Sequence, residues 1–225
     1  MRPAPIALAA AVIPTVAILA AFYLSAHAGN VPMCNPFIDG CASISATGRQ
    51  PPGALVFRAV QLPYSVVLAV IWILAARWIG NLSPDSGRAR RWILVMGLIG
   101  AAALIVYVTF LGTKTPVYSF MRRFGIYFYF LGTVLAQLSV AIAVFRARPD
   151  WQLQGVARWM LGCALFPFAL GVLNLVLKSV LENPDPPENV IEWIASLSMQ
   201  AWFLGLYVAW RRTEFAVGTS VKNAP

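Results

Sequence analysis

Six mostly apolar stretches, each long enough to cross a bilayer, constrain this chain more than any other feature. A membrane helix needs about 20 mostly apolar residues to cover about 30 Å of hydrocarbon. The stretches run over about 5–25, 53–79, 92–112, 124–145, 159–180 and 189–210. They do not alternate apolar with polar residues, and they exceed the roughly 10-residue segments of a membrane barrel. A helix satisfies its own backbone polar groups in lipid, so helices are the expected form. The expected fold class is all-α: a polytopic membrane protein with six transmembrane helices in one domain, 1–225, with 27–52 as the long outer loop. Composition agrees, at 60% hydrophobic and 11% charged residues. Soluble domains average about 45–50% and about 25%. A soluble enzyme, a disordered chain, a secreted disulfide scaffold and a coiled coil are thereby excluded.

The net charge of +9 would otherwise suggest nucleic acid. Here the cations sit at the ends of apolar stretches, so no nucleic-acid partner is expected. Arg2, Arg77, Arg88, Arg90, Arg91, Arg146, Arg148, Arg158, Arg211, Arg212 and Lys222 all fall on one side, eleven of the seventeen. The positive-inside rule makes that side cytoplasmic and places both termini there. Trp78, Trp92, Trp151, Trp159 and Trp210 flank it, as an interfacial aromatic belt does. Residues 2–28 also fit a signal peptide, with Arg2, an apolar run and Ala26-His27-Ala28. The run is longer than a usual signal core and contains Pro14, which favours a span. The expected location is the inner membrane of a bacterium, or an endomembrane or plasma membrane of a eukaryote.

The remaining cations, Arg49, Arg58, Lys114, Arg122, Arg123 and Lys178, lie on the outer side, against that bias. Arg58 is roughly 7 Å inside the second span at 1.5 Å per residue. Charge within a span costs kilocalories unless it is paired or reaches water. One reading is a cationic cup for lipid phosphate, since the planar guanidinium grips phosphate oxygens in pairs. The other is snorkelling to the headgroups, which suits Arg49, Lys114 and Lys178 taken singly. Arg58 is one turn from Gln61, which favours an internal role. Glu192 is a candidate partner for Arg58, Arg122 or Arg123; alternatively it only complements the dipole in a first helical turn. Gln61, Gln137, Asn174 and Gln200 join helices by hydrogen bonds, and Gln61 and Asn174 are also placed to line a polar cleft. Pro14, Pro63 and Pro167 are candidate kinks.

Other chemistry finds little support. His27 is the one histidine, so a multi-histidine metal site cannot form. No metal or cofactor is expected. None of the eight carboxylates lies mid-span, which weighs against proton-coupled transport. No nucleophile elbow or phosphate-binding glycine loop occurs, and Gly97-Leu-Ile-Gly100 reads as helix packing. Cys34 and Cys41 share the outer loop. They either form a disulfide, as an oxidising compartment allows, or remain two thiols. Cys163 reads as a packing residue.

Several short motifs resemble one family. The outer loop carries Ala42-Ser43-Ile44-Ser45-Ala46-Thr47-Gly48, then Pro51-Pro52 and Phe57-Arg58. Arg123-Phe124-Gly125 enters the fourth span. Glu192-Trp193 opens an aromatic-rich last span, followed by Tyr207, Arg211-Arg212 and Phe215. Together these resemble the family joining FRAG, DRAM and Sfk proteins. The chain departs from the family pattern at Cys41-Ala42-Ser43, where a proline is common, and at Arg122 or Arg123, where many members carry histidine. The resemblance implies six spans with both ends inside and an involvement with lipid. Family members include Golgi factors in lipid remodelling of GPI anchors, the N-terminal part of yeast ceramide-remodelling proteins, lysosomal autophagy modulators, and a regulator of phosphoinositide kinase and lipid asymmetry. It implies no shared catalytic mechanism.

The leading expectation is a protein that binds a phospholipid or glycolipid head group in the outer leaflet and senses, organises or helps remodel that lipid. Arg58, Gln61, Arg122, Arg123, Glu192 and Ser45 form the expected site, with Ile44-Ser45 as its lid. Catalytic residues are not identified, and the reading leans away from an enzyme. The alternatives are a membrane-embedded lipid or acyl transferase using Glu192 or Ser45, and a non-catalytic partner or chaperone of another membrane protein. The expected partners are membrane lipids and, in the last case, that second protein.

Overall fold

The fold was obtained as a computed structural model that describes residues 1–112, 115–147 and 150–218. Lys114, Arg148, Lys222 and the side chain of Trp151, all singled out above, lie outside the described residues.

Among the described residues the structure is entirely helical. Its elements are α1 (Ala4–His27), α2 (Ile44–Thr47), α3 (Gly53–Leu82), α4 (Gly87–Thr109), α5 (Pro116–Arg146), α6 (Trp151–Val180) and α7 (Asp185–Arg212). Five of them, α1, α3, α4, α5 and α6, are long and apolar enough to cross a membrane. The chain is therefore an integral, multi-pass membrane protein. The sixth long helix, α7, has 28 residues. It falls outside that group although residues 193–210 carry no charge, because Ser196, Ser198, Gln200, Tyr207 and three tryptophans make its interior less apolar than the others.

Local chemistry sets the helix starts. Asp150 caps α6 by accepting from Leu153 N at 2.8 Å, and Ser43 caps α2 by accepting from Ala46 N at 3.1 Å. Thr115 plays the same part for α5, which then continues with Pro116. A short polar side chain satisfies an otherwise unpaired amide there, and proline at the first position loses no hydrogen bond.

The six long helices pack as a closed ring. Each touches its neighbours along the chain, and α7 closes the ring against α1. The tightest pair is α4 with α5, and glycine permits it. A Cβ on Gly132 would lie 2.7 Å from the backbone N of Gly100; on the other side of α4, towards α3, a Cβ on Gly97 would collide with the ring of Trp72. Trp72, Trp202 and Phe203 fill the interior, with ring centroids 5.3–5.9 Å apart.

At the basic end the polypeptide folds back on itself. Met1 and Val217 exchange two backbone hydrogen bonds, at 3.0 and 2.9 Å, so the N-terminus meets the segment that follows α7 at one end of the ring. Arg2 lies 3.8 Å from Glu214. Phe215 packs on Trp210, and Thr213 Oγ1 accepts from Trp78 Nε1 at 3.0 Å. This corrects the aromatic belt expected above: Trp78 and Trp210 are buried under the returning tail, while Trp92 and Trp159 are exposed.

One helix departs from the ring. The first half of α6 packs through Leu153, Ala157, Met160, Cys163 and Ala164. From Leu165 onward no residue of α6 is buried. Pro167 sits at this change. The second half of α6 therefore leaves a gap between itself, α5 and α7.

Candidate functional site

The end opposite the basic rim is covered by the long loop, and α7 holds it there. Cys34 and Cys41 are joined, with Cα atoms 6.5 Å apart. Gly40 adopts φ +59°, and any Cβ on it would strike the backbone of Pro186. Glycine meets both demands at once. Asn189 Nδ2 donates to Gly40 O at 2.8 Å, and Trp193 Nε1 donates to Ala42 O at 2.9 Å. Trp193 is wholly buried, edge-on to Phe22 and Phe37. These contacts seat α2 over the first turns of α7. The Glu192 carboxylate lies against the backbone of Ser45 and Ile44. Arg49 Nη2 donates to Ser45 Oγ at 3.2 Å, and Ser45 Oγ is also 3.0 Å from Ser43 Oγ.

Beneath this cover, a cleft of about 400 Å³ occupies the gap beside α6. Arg122 and Arg123 of α5 form one wall, Asn174 of α6 the second, and Glu188 and Glu192 of α7 the third, with Ser45 above and Tyr107 behind. The cleft opens past Tyr127, which is 71% exposed, towards the bare apolar face of α6. Lys178 and Glu188 pair at 2.7 Å. Two polar atoms here are buried without a hydrogen-bond partner, Tyr107 Oη and Asn174 Oδ1. An unmade hydrogen bond of this kind costs about 1–3 kcal/mol.

A smaller cavity of about 40 Å³ lies behind the cleft, lined by Gln61, Ser196 and Gln200. Tyr107 and Glu192 line both spaces. Glu192, Ser196 and Gln200 follow one another at four-residue intervals, so they share one face of α7. Gln200 Oε1 accepts from Tyr64 Oη at 3.2 Å, and Gln137 Nε2 donates to Met199 O at 3.0 Å. Further along the same helices come Trp72 and Trp202. The polar interior therefore stops at the aromatic cluster near the middle of the ring.

Of the residues expected to form the site, Ser45, Arg122, Arg123 and Glu192 line the cleft, and Gln61 lines the cavity behind it. Arg58 stands apart. Its Nη2 donates to Leu111 O where α4 ends, and its Nε is buried without a partner. Among the described residues the ion pairs within 4.0 Å are Arg2–Glu214 and Lys178–Glu188, so no arginine pairs directly with Glu192. Sequence reasoning missed Tyr107. A tyrosine in an apolar stretch reads as core, and only its hydroxyl distinguishes it from phenylalanine.

The family model described as the Frag1/DRAM/Sfk1/Cwh43P N-terminal domain matches residues 4–211. No curated protein and no solved structure matches the chain.

Proposed function

The chain belongs to the Frag1/DRAM/Sfk1/Cwh43P N-terminal domain family, and from that premise we propose that it binds the head group of a membrane lipid in the cleft between α5, α6 and α7. In this reading all six long helices cross the bilayer, α7 included, and the basic end with both termini is cytosolic. The cleft then lies in the outer half of the membrane. The protein senses, positions or helps remodel the lipid that enters it.

One observation carries the reading: Arg122 and Arg123 meet Glu192, Tyr107 and Asn174 in a cleft that opens sideways onto an apolar flank. Charged and hydrogen-bonding groups at such depth are costly unless a ligand or water meets them. A lipid fits the opening, because its chains remain in the bilayer while its head group turns inward. Ser45 Oγ bonds to Ser43 and Arg49, neither of which is a general base, so no observation favours Ser45 as the nucleophile of a transferase.

The test is lipid co-purification. The full chain extracted in mild detergent retains phospholipid, and the Arg122→Ala/Arg123→Ala double variant retains several-fold less at equal protein. Equal retention in both proteins overturns the site.

A further inference from the structure

The cleft has two chemical poles. Arg122 and Arg123 offer only donors and positive charge. The same cleft is lined by acceptors: the Glu192 carboxylate, Asn174 Oδ1 and Tyr107 Oη. The second acid on the wall, Glu188, is already paired with Lys178. Glu192 has no cation within 4.0 Å among the described residues; the nearby backbone of Ser45 and Ile44 and, at longer range, Arg49 favour its charge. Tyr107 is 3% exposed, and its hydroxyl is unpartnered.

We infer that the head group is zwitterionic, a phosphate bearing a primary ammonium, as in phosphatidylethanolamine. The inference rests on the lipid-site reading above and narrows it. The phosphate sits on Arg122 and Arg123, and the ammonium points to Glu192. A primary ammonium carries three N–H donors. The cleft presents three acceptors in want of donors: Glu192, Asn174 and Tyr107. A choline has the same charge but no N–H, so it leaves Asn174 Oδ1 and Tyr107 Oη as they are. A phosphoglycerol brings no cation to offset Glu192, and its phosphate alone has to balance both arginines.

The lipid, rather than a soluble head group, is the expected occupant because the cleft opens onto apolar surface. Leu175, next in sequence to the cleft-lining Asn174 of α6, is 70% exposed, and acyl chains would run along such apolar surface.

Native mass spectrometry of the full chain in detergent micelles tests this. The micelles carry phosphatidylethanolamine, phosphatidylcholine and phosphatidylglycerol in equal amounts with identical chains. The wild type retains the ethanolamine lipid about tenfold over each of the others, the ratio that one charge-assisted hydrogen bond confers. Glu192→Gln brings the ratios to within about twofold while total retained lipid persists. Tyr107→Phe, which keeps the ring and removes only the hydroxyl, narrows the preference without unfolding the protein.

Arg122→Gln/Arg123→Gln lowers all three lipids together. If retention is lost in that variant yet the wild type prefers phosphatidylglycerol or shows no preference, the zwitterion inference falls and the lipid site stands. The zwitterion inference falls in the same way if the preference survives both Glu192→Gln and Tyr107→Phe. If no lipid is retained, or retention ignores both arginines, the lipid site itself falls. Full displacement by equimolar glycerophosphoethanolamine overturns the lipid as the source of the head group.

Discussion

At the scale of single residues, charge in apolar sequence is a good pointer to where something happens and a poor pointer to what. Arg122, Arg123 and Glu192 stand out because each is expensive within or beside a span, and all three line the cleft. Arg58 stands out for the same reason. Its direction does not, because the side of α3 that faces α4 is fixed by the whole ring and not by neighbours in sequence. In the structure it donates to Leu111 O, in the turn just past the end of α4. A hydrogen bond from a charged donor contributes about 1.5–3 kcal/mol. Arg58→Ala should therefore lower the thermal midpoint in detergent by several degrees and leave the amount of bound lipid unchanged. A normal midpoint with lost lipid would move Arg58 into the binding site. Tyr107 is illegible in the sequence, since its role depends on which helix ends behind the cleft.

At the scale of elements, the apolar stretches locate the long helices, and the structure extends them at their ends, by as much as eight residues at the starts of α5 and α6. The four-residue α2 leaves no periodic signal, and it exists because Ser43 caps it and α7 supports it. Glycine positions separate packed from open surface. Gly132 faces Gly100 across the α4–α5 contact, whereas nothing lies within 4 Å of a Cβ on Gly162 or Gly171. Gly132→Leu should destabilise the protein by about 3 kcal/mol or more, at the upper end of overpacking costs. Gly162→Ala should leave the melting midpoint in place, because the new methyl meets open space. Equal midpoints for the two variants would contradict the close helix contact. Gly171 lines the cleft itself. Gly171→Trp should fill it, keeping the wild-type midpoint while bound lipid falls several-fold. Undiminished lipid in that variant would place the ligand elsewhere.

At the scale of the whole molecule, the sequence conveys the membrane class and the order of long helices, but neither the closure of the ring nor the splayed half of α6. Both depend on contacts between distant segments. Orientation is the property to test here. The single unpaired cysteine, Cys163, is buried, so the wild type gives a low background to thiol reagents. In sealed membranes, an impermeant maleimide added from outside should modify Val117→Cys and spare Asp85→Cys. The opposite pattern would invert the proposed topology. The aromatic cluster of Trp72, Trp202 and Phe203 carries one further consequence. It stoppers the interior, so whatever enters must back out by the same door. Under the lipid-site proposal, exchange of a bound molecule would then answer to the make-up of a single leaflet, and the protein would sample one face of its membrane while staying deaf to the other.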